Sequence, residues 1–232
     1  MVAGTGTEVG KTWVACALAS ELRRRGVVVA ARKPAQTFEG EAPTEPTDAE
    51  RLAAATGETM ADVCPPWRWY GKTMAPPMAA ESLGLPVFAL RELLDELRWP
   101  TGTRVGLVEQ AGGVGSPQAG DGDGVDMVDL LAPDLVVLVA RPGLGTLSDI
   151  SLSSRALASQ HVLVYLNRFD PADELHVANR RWLCERLGLK VVTSAAELAG
   201  GVENLAGYGP ASPSGSAPSM TGGAQYDRRR PV

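Results

Sequence analysis

The run Gly4-Thr5-Gly6-Thr7-Glu8-Val9-Gly10-Lys11-Thr12 leads straight into an amphipathic segment, and these residue types at this spacing suit the holding of phosphate oxygens. Glycines let successive backbone N–H groups turn inward around an anion, and the N-terminus of the following helix adds the positive end of its dipole. Lys11 reaches the terminal phosphates, and Thr12 offers its hydroxyl to Mg²⁺. The pattern G-x-x-x-x-G-K-[ST] is met except at its first glycine, where Thr5 stands and Gly4 lies one residue earlier. A Gly-rich strand-to-helix turn that binds nothing is the plain alternative.

Three further pieces carry matching chemistry. Arg32-Lys33-Pro34-Ala35-Gln36-Thr37 closes a strand and delivers Lys33 to the carboxyl-end crevice where open α/β sheets bind ligands. Thr47-Asp48-Ala49-Glu50 opens a short helix, and Val108-Glu109-Gln110-Ala111-Gly112-Gly113 sets Glu109 at a strand end before a glycine pair. Thr12, Asp48 and Glu109 are three oxygen donors of the kind Mg²⁺ takes when it shares a phosphate. Each has a bland reading as well: Asp48 within a capping box, and Lys33 as a lysine that snorkels to solvent.

The elements that must position these residues are legible as alternation. Val14, Leu18 and Leu22 fall at helical spacing, which predicts a helix from Lys11 to Arg25 that stops at Gly26. Short apolar runs at Val27 to Ala31, Val105 to Val108, Leu135 to Ala140, Val162 to Leu166 and Val191-Val192 predict strands buried on both faces. Helical patterns at Leu90 to Trp99, Leu147 to Ala158 and Pro171 to Leu187 lie between them. The fold class expected is α/β: a doubly wound, mainly parallel sheet of the P-loop NTPase kind, with helices on both faces. Only Met1, Val2 and Ala3 precede the phosphate loop, so the first strand is expected to be very short or to have lost its start, at a cost in stability. The segments Phe38 to Thr47 and Cys64 to Pro77 read as loops, with Trp67 and Trp69 either filling a satellite core or lying over a substrate channel.

Composition narrows the classes. The chain has 232 residues, 44% of them hydrophobic and only 5% aromatic, which fits a single α/β domain over about 1–206 with a core of Ala, Val and Leu. From 207 to 232 the sequence is rich in Gly, Ser and Pro and is expected to be a disordered tail. A formal charge of −5 with no long basic run argues against nucleic acid. No stretch approaches the roughly 20 apolar residues of a membrane span, and no leader pattern opens the chain, so a cytoplasmic protein is expected. Cys16, Cys64 and Cys184 form no disulfide or zinc framework, and Cys16 and Cys184 read as buried thiols.

Taken together, G-T-x-T-E-V-G-K-T, K-P-x-Q-T, the Asp at a polar helix start, V-E-x-A-G-G, L-G-T-L and a strand ending in Asn resemble the dethiobiotin synthetases, in order and spacing from about Gly4 to Glu197. The resemblance implies an ATP- and Mg²⁺-dependent cyclo-ligase. It would close a cyclic urea on 7,8-diaminopelargonic acid with CO₂, through a carbamate that ATP phosphorylates. It implies Lys33, Lys11 and Thr37 as the catalytic set, with Gly6, Thr7, Glu8, Val9, Gly10, Lys11, Thr12 and Asn167 around ATP. Thr12, Asp48 and Glu109 would hold the metal. Thr7, Gln36, Thr37 and the turn Gly143-Leu144-Gly145-Thr146 would meet the diamine, the last through its carboxylate. It further implies a homodimer acting on a small-molecule diamine, without nucleic acid or membrane. Asn167 also has a plain reading as a turn residue ahead of Pro171.

The chain departs from the family pattern in places. Gln110 replaces a glycine, where a left-handed backbone would be strained. Ser148-Asp149 follows Leu147 where the family has Asn, and an added carboxylate there would repel a substrate carboxylate. The chain after Val192 is shorter than usual. These points keep open a related ligase with a different amine or acid substrate. A nucleotide-switched ATPase of the chromosome-partitioning kind is the other alternative, weakened because no Lys stands between Gly4 and Gly10.

Overall fold

A computed structural model describes residues 1–40 and 42–205; the stretch 207–232, expected as a disordered tail, lies outside the described residues. In chain order the elements are β1 (Val2–Gly4), α1 (Lys11–Arg24), β2 (Val29–Arg32), β3 (Gln36–Thr37), α2 (Asp48–Thr56), α3 (Met60–Val63), β4 (Trp69–Tyr70), α4 (Pro76–Ser82), α5 (Leu90–Asp95) and β5 (Val105–Val108). There follow β6 (Pro117–Ala119), β7 (Gly122–Asp123), α6 (Gly124–Leu131), β8 (Val136–Ala140), α7 (Thr146–Ala156), β9 (Val162–Leu166), α8 (Glu174–Glu185), β10 (Val191–Val192) and α9 (Ala195–Leu205).

The strands β1, β8, β9 and β10 lie side by side in that order, all parallel, and β2 pairs with β5, also parallel. A bridge between Val2 and Glu109 brings β5 alongside β1, so the phosphate loop leaves the middle of the sheet. The β8 run Val136-Val137-Leu138-Val139-Ala140 is buried throughout. Its alternate residues feed two cores: Val137 and Val139 pack with Leu18, Leu22 and Leu52 from α1 and α2, while Val136, Leu138 and Ala140 pack with Met127, Ile150 and Leu183 from α6, α7 and α8. That period of two, with helices over both faces, is what a doubly wound parallel sheet requires.

Strand β1 is three residues long and keeps parallel register with β8, Val2 opposite Val137 and Gly4 opposite Val139. Helix α1 ends as expected near Gly26, which takes φ 82°. Several expectations need correction. The helix read from Leu90 to Trp99 stops at Asp95, because Arg32 donates from Nε to the Arg98 carbonyl at 2.6 Å and its guanidinium lies 5.0 Å from the centre of the Trp99 ring. The segment read as a loop from Cys64 to Pro77 holds a 3₁₀ turn and β4, which pairs in parallel with β3. Trp67 fills no core, being 67% exposed, whereas Trp69 is half-buried against the core around α1 and α2, as expected, and donates from Nε1 to the Cys64 carbonyl at 2.9 Å. Of the cysteines only Cys64 is buried; Cys16 and Cys184 are half-buried. Among the described residues no helix is long and apolar enough to cross a membrane.

Candidate functional site

The carboxyl ends of β1, β2 and β5 deliver the phosphate loop, Lys33 and Glu109 to one place. Gly10 caps α1 with φ 95°, a left-handed backbone that glycine adopts without a Cβ penalty. Lys11, the first helical residue, folds back so that Nζ donates to the Gly6 carbonyl at 3.0 Å, across the loop. Burial and the neighbouring Lys33 cation lower its pKa to about 8.

Thr12, one residue on, points its hydroxyl between two carboxylates, with Asp48 Oδ1 and Glu109 Oε1 each at 2.8 Å. Lys33 Nζ bridges the same pair, 2.8 Å from Asp48 Oδ2 and 2.6 Å from Glu109 Oε1. Lys33 is 3% exposed and Glu109 1%, so the snorkelling alternative for Lys33 is excluded. Burial alone would lower the Lys33 pKa, yet the two carboxylates outweigh it and hold the ammonium above the usual lysine range. Burial pushes Glu109 above the ordinary carboxylate range against the pull of Lys33. Asp48 is held below it, because Lys33 and the Thr12 hydroxyl outweigh the burial cost. Asp48 also opens α2 inside a complete capping box between Thr47 and Glu50, so the helix start fixes where its carboxylate stands.

This donor set fits a hard cation. Glu109 Oε2 is buried without a hydrogen-bond partner, and a hydroxyl with two carboxylates supplies only oxygen. Among the described residues no group of three or more His, Cys, Asp or Glu forms a metal cage alone. A cation here would complete its shell with phosphate and water.

Around this centre the other expected residues fall as follows. Thr7 and Glu8 are exposed on the loop, Glu8 with φ 59°, while Val9 is buried. Gln36 is buried, with Oε1 accepting from the Ala49 amide at 3.1 Å and Nε2 left without a partner; Thr37 is half-buried beside it. Asn167, directly after β9, donates from Nδ2 to the Val9 carbonyl at 2.9 Å, so half of its amide is already engaged with the loop. The turn Gly143 to Thr146 leads into α7 and makes no hydrogen bond to the carboxylate cluster among the described residues. Leu144 there is 92% exposed, Gly145 takes φ 86°, and the buried Thr146 hydroxyl has no partner at the start of α7. Asp149 Oδ2 comes within 3.8 Å of where a Gly145 Cβ would lie.

The strain expected at Gln110 does not occur, since its φ is not positive. Its side chain is fully buried against Gly124, where an added Cβ would sit 2.8 Å from Gln110 Oε1. Gly112, two residues on, takes the left-handed turn instead. Asn179 escaped the sequence reading. It donates from α8 to the Pro142 and Gly143 carbonyls at 2.9 and 3.1 Å and so fixes the turn before α7. An isolated Asn on the buried side of a helical pattern was the available signal. Two cavities, about 620 and 800 Å³, open at the amino ends of the strands around Val105 and around His161, and neither includes the residues of this cluster.

A family model described as an AAA domain matches residues 1–199. The "ATP-dependent dethiobiotin synthetase BioD" of Anaeromyxobacter dehalogenans (strain 2CP-1 / ATCC BAA-258) is 37% identical over 179 residues, 75% of this chain and 78% of that one. The protein of the same name from Caulobacter vibrioides (strain NA1000 / CB15N) is 41% identical over 166 residues, 68% and 73% of the two chains. That of Mycobacterium bovis (strain ATCC BAA-935 / AF2122/97) is 36% identical over 214 residues, 88% of each. Among solved structures, the nucleotide-binding protein in complex with ADP from Archaeoglobus fulgidus aligns over 90% of this chain and 88% of its own, with a TM-score of 0.42 and 12% identity.

Proposed function

This chain belongs to the ATP-dependent dethiobiotin synthetases of biotin synthesis, and we propose that its site closes a cyclic urea on 7,8-diaminopelargonic acid. One amine takes up CO₂, giving a carbamate and a proton. A carbamate oxygen then accepts the γ-phosphoryl group, ADP leaves, and the second amine attacks the activated carbon as phosphate departs.

In this reading Lys33 and Lys11 neutralise the charge that grows on the carbamate and the transferring phosphoryl group. Thr37 and the unpartnered Gln36 Nε2 hydrogen-bond the carbamate. Thr7 and Glu8 face the diamine, and the backbone from Gly6 to Gly10 holds the phosphates. Asn167 offers its remaining amide groups to adenine. Gly143, Leu144, Gly145 and Thr146 take the substrate carboxylate at the α7 N-terminus, where free N–H groups and the helix dipole favour an anion. Thr12, Asp48 and Glu109 would hold Mg²⁺, which supplies charge stabilisation to the phosphoryl oxygens when bound.

The observation that carries the reading is that Lys33 and Thr12 each lie 2.6 to 2.8 Å from both Asp48 and Glu109, beside a glycine loop that ends in Lys11. The test is phosphate release with the diamine, bicarbonate, ATP and Mg²⁺, where release requires all four. Release indifferent to the diamine would sink it. A related ligase with another acceptor is the second reading, favoured by Asp149 beside Gly145, where it would repel a carboxylate. A panel of amines and amino acids in the same assay separates the two.

The working form is a homodimer in the cytoplasm, free of nucleic acid and membrane. Met74, Met78, Leu83, Leu85 and Val87 are exposed apolar side chains just before, on and after α4, a surface suited to a second copy.

A further inference from the structure

Arg141 follows β8 directly and belongs to none of the motifs above. It is exposed, and its Nη2 donates to the Glu8 carbonyl at 2.9 Å, across 133 residues of chain. Asn167, at the end of the neighbouring strand β9, donates to the next carbonyl, Val9, at 2.9 Å. Two successive carbonyls of the phosphate loop are therefore held by side chains from two adjacent strand ends.

A planar trans peptide sends its C=O and the following N–H in opposite directions. With the Glu8 carbonyl turned toward Arg141, the Val9 N–H must face away from it; with the Val9 carbonyl turned toward Asn167, the Gly10 N–H does the same. Neither amide donates to another group among the described residues. Glu8 itself sits at φ 59°, a left-handed conformation that a side chain with a Cβ holds only when its surroundings impose it.

We propose that Arg141 is a positioning residue for the nucleotide: it pins the Glu8 peptide so that the loop presents its N–H groups to the phosphates before any ligand arrives. The inference rests on the reading that this loop takes the phosphates of ATP. Arg141 acts on the loop rather than on the γ-phosphate, so nucleotides that place at least two phosphates in the cradle should feel its loss alike.

The test is equilibrium titration of wild-type, R141A and R141K proteins with a non-hydrolysable ATP analogue and with ADP, each with Mg²⁺, alongside KM for the diamine. R141A should bind both nucleotides roughly tenfold more weakly, the scale of one charge-assisted hydrogen bond, and R141K should recover part of this by donating from Nζ. The loss of nucleotide affinity should exceed any change in the diamine KM, and the unfolding midpoint of the free protein should move little, since Arg141 is exposed. Unchanged nucleotide affinity in R141A overturns the proposal. So does a loss confined to the ATP analogue, which would mean direct contact with the terminal phosphate, or a loss confined to the diamine. If the wild-type protein binds neither nucleotide, it is the reading of the loop that fails.

Discussion

Lys33 Nζ and Glu109 Oε1 lie 2.6 Å apart with both side chains almost wholly buried, and this ion pair ties the end of β2 to the end of β5 at the centre of the site. Each charge depends on the other, because a buried charge without a partner is far costlier than the pair. Lys33→Met should therefore lower unfolding stability by about 3 kcal/mol and remove turnover together. Urea unfolding of the nucleotide-free protein reads the first effect. A loss below about 1 kcal/mol would show that the two charges are not buried against each other.

Glu109 has a second oxygen with no partner, and that vacancy in its hydrogen bonding is what a cation would fill. Glu109→Gln keeps the shape but removes the negative charge. The concentration of Mg²⁺ that supports half-maximal phosphate release should rise by tenfold or more, with a fall in rate. Stabilisation gives an independent check. At a hundred times its dissociation constant a ligand adds about 2.7 kcal/mol, so MgATP should raise the thermal midpoint of the wild-type protein, and chelating the metal should remove most of that gain. An identical Mg²⁺ titration in the variant would show that Glu109 is not a ligand.

Lys11 reaches across the loop to the Gly6 carbonyl and makes no ion pair among the described residues. Its removal should spare the fold and strike phosphoryl transfer. Lys11→Ala is expected to cut turnover by two or more powers of ten while the thermal midpoint of the free protein moves little. Turnover like that of the wild type would refute its role.

What could be read from the sequence was whatever the chain keeps local. Gly6 to Thr12 are contiguous, and the apolar runs before Lys33, Glu109 and Asn167 are long enough to show as strands, so their ends mark where side chains meet. The two-residue strands β3 and β4 have no periodicity to detect, so Arg32 to Thr37 reads as the close of one strand, whereas Gln36 and Thr37 form a strand of their own beside β4. Helices α6 and α9 start in Gly-, Ala- and acid-rich sequence that resembles turns. Arg141 and Asn179 bond to backbone carbonyls 133 and 37 to 36 residues away, and a carbonyl has no residue type to pair with in a sequence. The strain expected at Gln110 is absent because the left-handed turn falls at Gly112, and the Gln110 side chain raises a separate question of space. Whether a bulky residue fits depends on the missing Cβ of Gly124, which only the folded chain brings opposite.

Gly10 and Asn167 offer the sharpest test of how the loop is held. At φ 95° Gly10 has no Cβ, and one built there would run into Asn167 Nδ2, the atom that donates to the Val9 carbonyl. Gly10→Ala thus faces two separate costs, a left-handed backbone worth about 1–2 kcal/mol and a collision that dislodges the Asn167 hydrogen bond. Asn167→Ala removes the collision partner and leaves only the backbone cost. In a double-mutant cycle Gly10→Ala should therefore destabilise the wild-type background by more than the Asn167→Ala background, with a coupling of about 1 kcal/mol or more. Nucleotide affinity should follow the same pattern, lowest in Gly10→Ala alone or level with the double variant. Strict additivity of the two substitutions would show that the loop and the end of β9 do not touch as described.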